Sequence, residues 1–134
     1  MKKFLLLAAI GICTLANISY GQKQKIEDKI LLNSYTKAEL NAIKQNPLEY
    51  EILSYALSNG TYIIDQPKDK DVSMFPELRL ELPVDANSKL LFTDFGIKIT
   101  DRSQYFRIVG QNKLLIVKSS NTLKLELSKS SSHE

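Results

Sequence analysis

The spacing of the apolar residues changes once along the chain, at Gly60, and this change constrains the fold more than any other feature. Before Gly60 the apolar residues recur at helical spacing. After it they alternate with polar residues, which is typical of strands with one solvated face. Helices followed by strands predict an α+β domain. We therefore expect an N-terminal helical pair packed on an antiparallel sheet of five or six strands.

Two local signals predict where the helices of this pair begin. Thr36 and Glu39 have the spacing of a capping box, in which each side chain bonds the backbone N–H of the other residue. Asn46, followed directly by a proline, supplies a second N-cap before a favoured first helical residue. Gly60 is expected to end the second helix in the left-handed conformation. For residues 22–33 the pattern leaves helix and strand open.

The second half of the chain contains the predicted strands, which are rich in alternating apolar and β-branched residues. The strand segments are 61–64, 78–82, 90–92, 96–100, 105–109, 113–118 and 122–128. Segments 90–92 and 96–100 form either two strands or one bulged strand. Residues 110–112 predict a tight hairpin loop. Residues 129–134 are expected to be a flexible tail, so the single domain spans 22–128.

The apolar pattern also predicts which side chains form the core and which face solvent. Tyr105 and Phe106 are neighbours on one strand, so they point to opposite faces of the sheet and one of them is expected to be exposed. We predict a core formed by Leu48, Ile52, Leu78, Leu80, Phe92, Phe106, Leu115 and Leu123.

The start of the chain has the three regions of a secretory signal peptide. Lys2 and Lys3 are followed by a run of thirteen residues, 4–16, that is apolar except at Gly11 and Thr14. This run is shorter than the ~20 apolar residues that a membrane-spanning helix needs. We therefore expect no stable membrane insertion after cleavage.

The last residues of this leader resemble the signal-peptide ends of exported Bacteroidota proteins. Ser19 and Gly21 are the small residues that precede the expected cut before Gln22, so the signal peptide is 1–21. Cys13 is preceded by Ile12 where a lipobox requires a small residue, which favours a soluble product over a lipoprotein. The resemblance implies a periplasmic or secreted protein and implies nothing about activity. The residues after the leader carry no motif of a named family.

The composition after cleavage excludes several functional classes. The remaining 113 residues are enough for one domain, and they carry 16 basic and 15 acidic residues, a net charge of +1. No basic run alternates with aromatic residues, so we expect no nucleic-acid partner. The only cysteine, Cys13, leaves with the leader, which excludes a disulfide or a thiolate nucleophile in the exported chain.

Residues that could carry chemistry are few, and each has a simpler explanation. His133 is the only histidine and lies next to the C-terminus, where no partner would hold its ring. Three aspartates within 65–71 alternate with lysines and indicate a solvated loop. Asp94 and Asp101 lie at expected turns. Because no nucleophile or phosphate-binding motif is present, we expect neither enzymatic activity nor a cofactor or metal.

Two classes of function remain. The first is a non-catalytic interaction (adaptor) domain that binds an unidentified envelope protein, with strand 122–128 as an expected sheet edge for docking. The second is a small-ligand or glycan-binding module that uses a cleft between helices and sheet. A sorting tail for surface export is disfavoured, because no Pro-Asn-Pro start and no C-terminal Gly-x-Tyr strand are present. Tyr105 and Asp94 are the predicted contact residues.

The leader generates the first testable prediction. The exported protein should begin at Gln22 and carry no lipid, because Ser19 and Gly21 satisfy the small-residue rule whereas Ile12 does not. Mass spectrometry of the protein isolated from the exporting cell checks both points. A lipid-modified Cys13 at the N-terminus would contradict the prediction.

Overall fold

The computed structural model describes residues 21–132, which contain four α-helices and a four-stranded mixed sheet. In chain order the elements are α1 (21–31), α2 (Lys37–Lys44), α3 (Pro47–Asn59), β1 (Thr61–Asp65), β2 (Glu77–Leu78), a 3₁₀ helix (Phe92–Phe95), β3 (Gln104–Ile108), β4 (Lys113–Val117) and α4 (Ser120–Ser131). The predicted α+β class is confirmed. The leader residues 1–20 and His133 lie outside the described residues.

In the helical half of the chain both predicted N-caps are observed, and there is one helix more than predicted. Thr36 Oγ1 accepts from the N–H of Glu39 at 3.1 Å, and Glu39 Oε2 accepts from the N–H of Thr36 at 2.8 Å, which confirms the capping box. Asn46 Oδ1 accepts from the N–H of Leu48 at 3.2 Å and caps α3. For residues 22–33 the sequence left helix and strand open, and the structure has helix α1 there. Three helices therefore precede the sheet, so the predicted N-terminal pair is wrong in number.

Gly60 ends α3 for a different reason from the one predicted. Its φ is −81°, so the expected left-handed conformation is wrong. The N–H of Gly60 donates to the carbonyl of Ala56 at 2.7 Å, and a Cβ on residue 60 would lie only 2.5 Å from that oxygen. The turn from α3 into β1 therefore requires glycine because the backbone approaches so closely there.

The sheet has the order β1-β4-β3-β2, and only its first three strands are antiparallel. β2 contributes two residues, which pair in parallel with β3. The hairpin predicted around residues 110–112 is confirmed by the β3–β4 pairing. The predicted antiparallel sheet of five or six strands is wrong, because three of the predicted strand regions do not pair as expected: 78–82, 90–92 with 96–100, and 122–128.

Two of these regions make other contacts in place of pairing with a neighbouring strand. The region predicted as 78–82 leaves the sheet after Leu78, and the side-chain amide of Gln111 then bonds the carbonyl of Leu82 at 3.0 Å and the N–H of Val84 at 2.8 Å. Within residues 90–100, Phe92–Phe95 form the 3₁₀ helix and no residue lies in a strand. Gly96 ends that helix with a φ of 66°, a left-handed conformation that glycine adopts without strain.

The third segment, predicted as strand 122–128, is helix α4. Ser119 caps it by accepting from the N–H of Thr122 at 3.2 Å. Leu123 is fully buried and Leu127 is half-buried, whereas Leu125 is 61% exposed. Residues four apart share a helix face, so the alternation of leucines concealed a helical pair. α4 continues past residue 128 to Ser131, and the flexibility of 129–134 stays a prediction.

The core forms two adjoining clusters of apolar side chains. The larger joins the helices to the 3₁₀ helix and β4, and the smaller joins the sheet to residues 78–90. Of the predicted core residues, four are buried: Ile52, Phe92, Leu115 and Leu123. Leu78, Leu80 and Phe106 are partly buried and pack against the clusters. The prediction for Leu48 is wrong, since its side chain is 43% exposed at the start of α3.

Two leucines of α4 distinguish the helix from the predicted strand. Leu123→Ala should lower the free energy of unfolding by ~2–5 kcal/mol, because the side chain is fully buried. Leu125→Ala should change it by less than ~0.5 kcal/mol, because that side chain is exposed. Chemical denaturation of the two variants measures both values. Equal losses would contradict the helix, since only a strand places both leucines on one face.

Candidate interaction surface

The two faces of the sheet have different surroundings. Ile63, Ile108 and Leu115 lie on the face that packs into the core. Successive residues of a strand point to opposite faces, so the other face is formed by their sequence neighbours. We call this second face the outer face and define it by the side chains of Tyr62, Ile64, Tyr105, Arg107, Leu114 and Ile116.

The strand register arranges the outer face in two rows. Tyr62, Ile116 and Tyr105 are cross-strand partners and form the first row. Ile64 and Leu114 form the second row with Arg107. Because adjacent strands lie about 4.8 Å apart, the two tyrosines sit roughly 10 Å from each other, with Ile116 between them.

The two tyrosines and Ile64, which is 37% exposed, form the exposed part of this surface. Tyr62 is 44% exposed and Tyr105 is 41% exposed, whereas the central Ile116 and Leu114 are only 4% and 2% exposed. Phe75 stacks on Tyr105 with ring centroids 5.2 Å apart and an interplanar angle of 22°. The outer face is therefore an apolar layer with aromatic rings on both sides of its central strand.

Charged side chains surround this apolar layer. Lys118 Nζ lies 5.8 Å from the ring centroid of Tyr62 and also bonds Glu126 of α4 at 2.9 Å. On the opposite side, Arg107 Nη2 bonds Glu77 Oε1 at 2.6 Å. An apolar centre within a charged, hydrogen-bonded rim is the usual anatomy of a protein interface.

A loop carboxylate adds to the charge near Arg107. The side chain and backbone N–H of Ser73 bond Asp71, and together with the nearby guanidinium of Arg107 they hold the pKa of Asp71 below its ordinary value. Asp71 is therefore ionised at neutral pH. Arg107 Nε is buried and has no acceptor among residues 21–132, so Glu77 is the partner that fixes this guanidinium.

The edge of the sheet at β1 is closed at its centre. Gly60 and Gln66 bond across to β4, so the backbone groups of Thr61, Ile63 and Asp65 face away from β4. Ile63 is nevertheless only 4% exposed, because side chains from residues 80–90 pack against it. A partner strand cannot reach this part of β1. The edge expected at 122–128 does not exist, since that segment is helix.

The two predicted contact residues lie in different environments. Tyr105 is on the outer face, as the alternation of β3 predicted, and Phe106 packs toward the core. Asp94 lies in the 3₁₀ helix, where its Oδ2 accepts from the N–H of Leu91 at 3.1 Å. The structure therefore does not bring Asp94 to the outer face, and it gives this carboxylate a capping contact.

The most interconnected titratable groups lie between the helices. The hydroxyl of Tyr50 donates to Asp28 Oδ1 at 2.7 Å, and Lys44 forms an ion pair with the same carboxylate. Burial and the hydrogen bond to Asp28 raise the pKa of Tyr50, so this phenol stays protonated at neutral pH and cannot act as a base there. Ser54 donates to Glu27 at 2.9 Å. These contacts tie α1 to the other helices.

Comparison with known protein families, with curated proteins and with solved structures finds no match to this chain. Within residues 21–132, no group of side chains has the composition of a metal site. None of the described helices has the length and apolar character that crossing a membrane requires.

Sequence reasoning missed Tyr62 as a surface residue, although two signals pointed to it. Tyr62 and Ile64 alternate along β1, which places both on one face. Residues 114–117 are an unbroken apolar run, and such a run indicates a strand with apolar surroundings on both faces. Together they identify a second apolar face of the sheet.

Proposed function

We propose that this protein is a small exported envelope protein that acts as a non-catalytic interaction (adaptor) domain. It binds another envelope protein through the outer face. The observation that carries the proposal is the row of Tyr62, Ile116 and Tyr105, in which two exposed aromatic rings flank a buried aliphatic side chain. Tyrosine and arginine are enriched among the residues that dominate protein–protein binding energy, and Arg107 adjoins this row.

The size of the outer face specifies the kind of partner. Three five-residue strands cover on the order of 250 Å². A stable interface buries about 800 Å² on each partner, so this face is too small to hold a second copy of the chain by itself. It suits a short apolar segment of a partner protein, bound with the modest affinity of a transient complex. Because β1 is closed at Ile63, side chains rather than strand pairing make the contact.

The absence of catalysis is supported by how the acidic groups are used. Asp94 caps the 3₁₀ helix, and Asp28 and Glu126 form ion pairs. A catalytic carboxylate pair needs two acids whose environments separate their pKa values. These three acids instead stabilise a helix end or contacts between elements. The resemblance of residues 1–21 to a signal peptide supports a periplasmic or secreted location.

The proposal predicts that the outer face carries binding. Tyr62→Ala and Tyr105→Ala should each weaken capture of the partner from an envelope fraction at least tenfold, about 1.4 kcal/mol or more, because truncating an interface aromatic removes its buried area. The assay compares equal amounts of wild-type and variant protein, after thermal melts show that each variant is folded. Leu125→Ala, which removes a more exposed apolar side chain from α4, is the matched control and should bind normally.

Three outcomes would contradict this proposal. Equal capture by wild-type and both tyrosine variants would exclude the outer face. Self-association in sedimentation that Tyr105→Ala abolishes would identify a second copy as the occupant. Turnover of envelope material that Asp94→Asn abolishes, with the fold intact, would make the protein an enzyme.

A further inference from the structure

The helical side of the molecule contains a cleft that the outer face does not explain. It has a volume of about 420 Å³ and lies between α2, α3, the first turn of α4 and residues 99–101. This volume is within the range of small-molecule sites, about 300–1,000 Å³. We propose that this helix cleft binds a hydroxyl-rich small ligand of the size of one or two sugar units.

The floor of the helix cleft is apolar. Ile52 and Leu53 of α3, both buried, line it together with Ile99. Leu48 also lines the cleft and keeps 43% of its surface exposed, although it lies in the first turn of a well-packed helix. A ligand with one apolar face, such as the C–H face of a sugar ring, would cover Leu48 and complete the packing.

The rim of the helix cleft is polar and nearly balanced in charge. Asn121 supplies an amide that donates and accepts, and Asn46, whose Oδ1 caps α3, supplies amide donors. Glu49 and Asp101 supply acceptors, and Lys124 supplies a donor. Two carboxylates against one ammonium disfavour a strongly anionic ligand. Adjacent hydroxyl groups, each able to donate and accept, match this set.

Tyr35 provides an independent observation that points to a ligand oxygen. This residue lines the helix cleft and is only 8% exposed. Its hydroxyl oxygen accepts from the N–H of Ile99 at 2.9 Å, but its own O–H has no acceptor among residues 21–132. Burial raises the pKa of Tyr35, so the phenol keeps its proton. A buried tyrosine normally finds a partner for that proton, and a ligand oxygen would supply one.

The helix cleft and the outer face share no residue, so an experiment that contradicts one proposal leaves the other unaffected. An adaptor with both would hold a protein segment on the sheet and a sugar among the helices. A free sugar and a sugar unit within a longer glycan both have this hydroxyl-rich chemistry. Comparing a monosaccharide with a trisaccharide distinguishes these two sources.

The test is a titration of the exported chain, labelled with ¹⁵N, with N-acetylglucosamine, glucose, a β-1,4-linked trisaccharide of N-acetylglucosamine, and inorganic phosphate. We expect one of the sugars to shift backbone signals of the lining residues. Glu49→Gln should weaken that binding about tenfold, because it removes a charged acceptor. Glu51→Gln is the matched control, since Glu51 is exposed on the same helix but does not line the helix cleft.

Tyr35→Phe is the second variant and should also weaken binding about tenfold while a thermal melt shows it folded. Binding of the trisaccharide at least tenfold tighter than the monosaccharide would identify a glycan chain, and similar binding would identify a free sugar; both support the proposal. No shift with any sugar, shifts with phosphate alone, or equal weakening by Glu49→Gln and Glu51→Gln would overturn it.

Discussion

The rest of the structure depends on β4, a strand that is apolar on both faces. On its core face, Val117 is fully buried among the helices and Leu115 is fully buried in the smaller cluster with residues 78–90. On the outer face, Leu114 and Ile116 are almost as deeply buried. β4 is also the strand that pairs with both β1 and β3, so it sets the register of the sheet. β4 therefore attaches the sheet to the helical core, and its side chains form the apolar centre of the outer face between the two tyrosines. A polar side chain at position 116 would disrupt this apolar centre without changing a residue of the core.

Local interactions made part of this fold predictable. The caps at Thr36 and Asn46 act within three residues, and the hairpin around 110–112 joins neighbouring strands, so the sequence contains all the information for them. The irregular region 79–91 depends on distant partners. The side chain of Gln111 bonds the backbone there, and no local pattern announces a contact across that separation. The alternating leucines of α4 fit a strand and also a helix, because Leu123 and Leu127 are four residues apart and share a helix face. Leu123 is buried whereas Leu125 is exposed, as only the helix allows.

The outer face, like the fold, was predictable from the sequence only in its local features. Strand alternation placed Tyr105 opposite Phe106, which the structure confirms. Its counterpart Tyr62 lies across β4, and that neighbourhood follows from a strand register formed over more than forty residues of chain. Asp94 was expected at a turn and was predicted as a contact residue, and it lies in a 3₁₀ helix, where its carboxylate caps the backbone. The helix cleft likewise joins residues from four parts of the chain, which no spacing in the sequence connects.

The most direct test of the central claim is photo-cross-linking in the exporting cell, with a photoreactive amino acid placed at one surface position at a time. Position 105 reports on the outer face, and position 125 reports on a more accessible point of α4. The account predicts that a probe at 105 forms a discrete covalent product with an envelope protein and that a probe at 125 does not. The same product from both positions, or from 125 alone, would contradict the outer face as the binding surface.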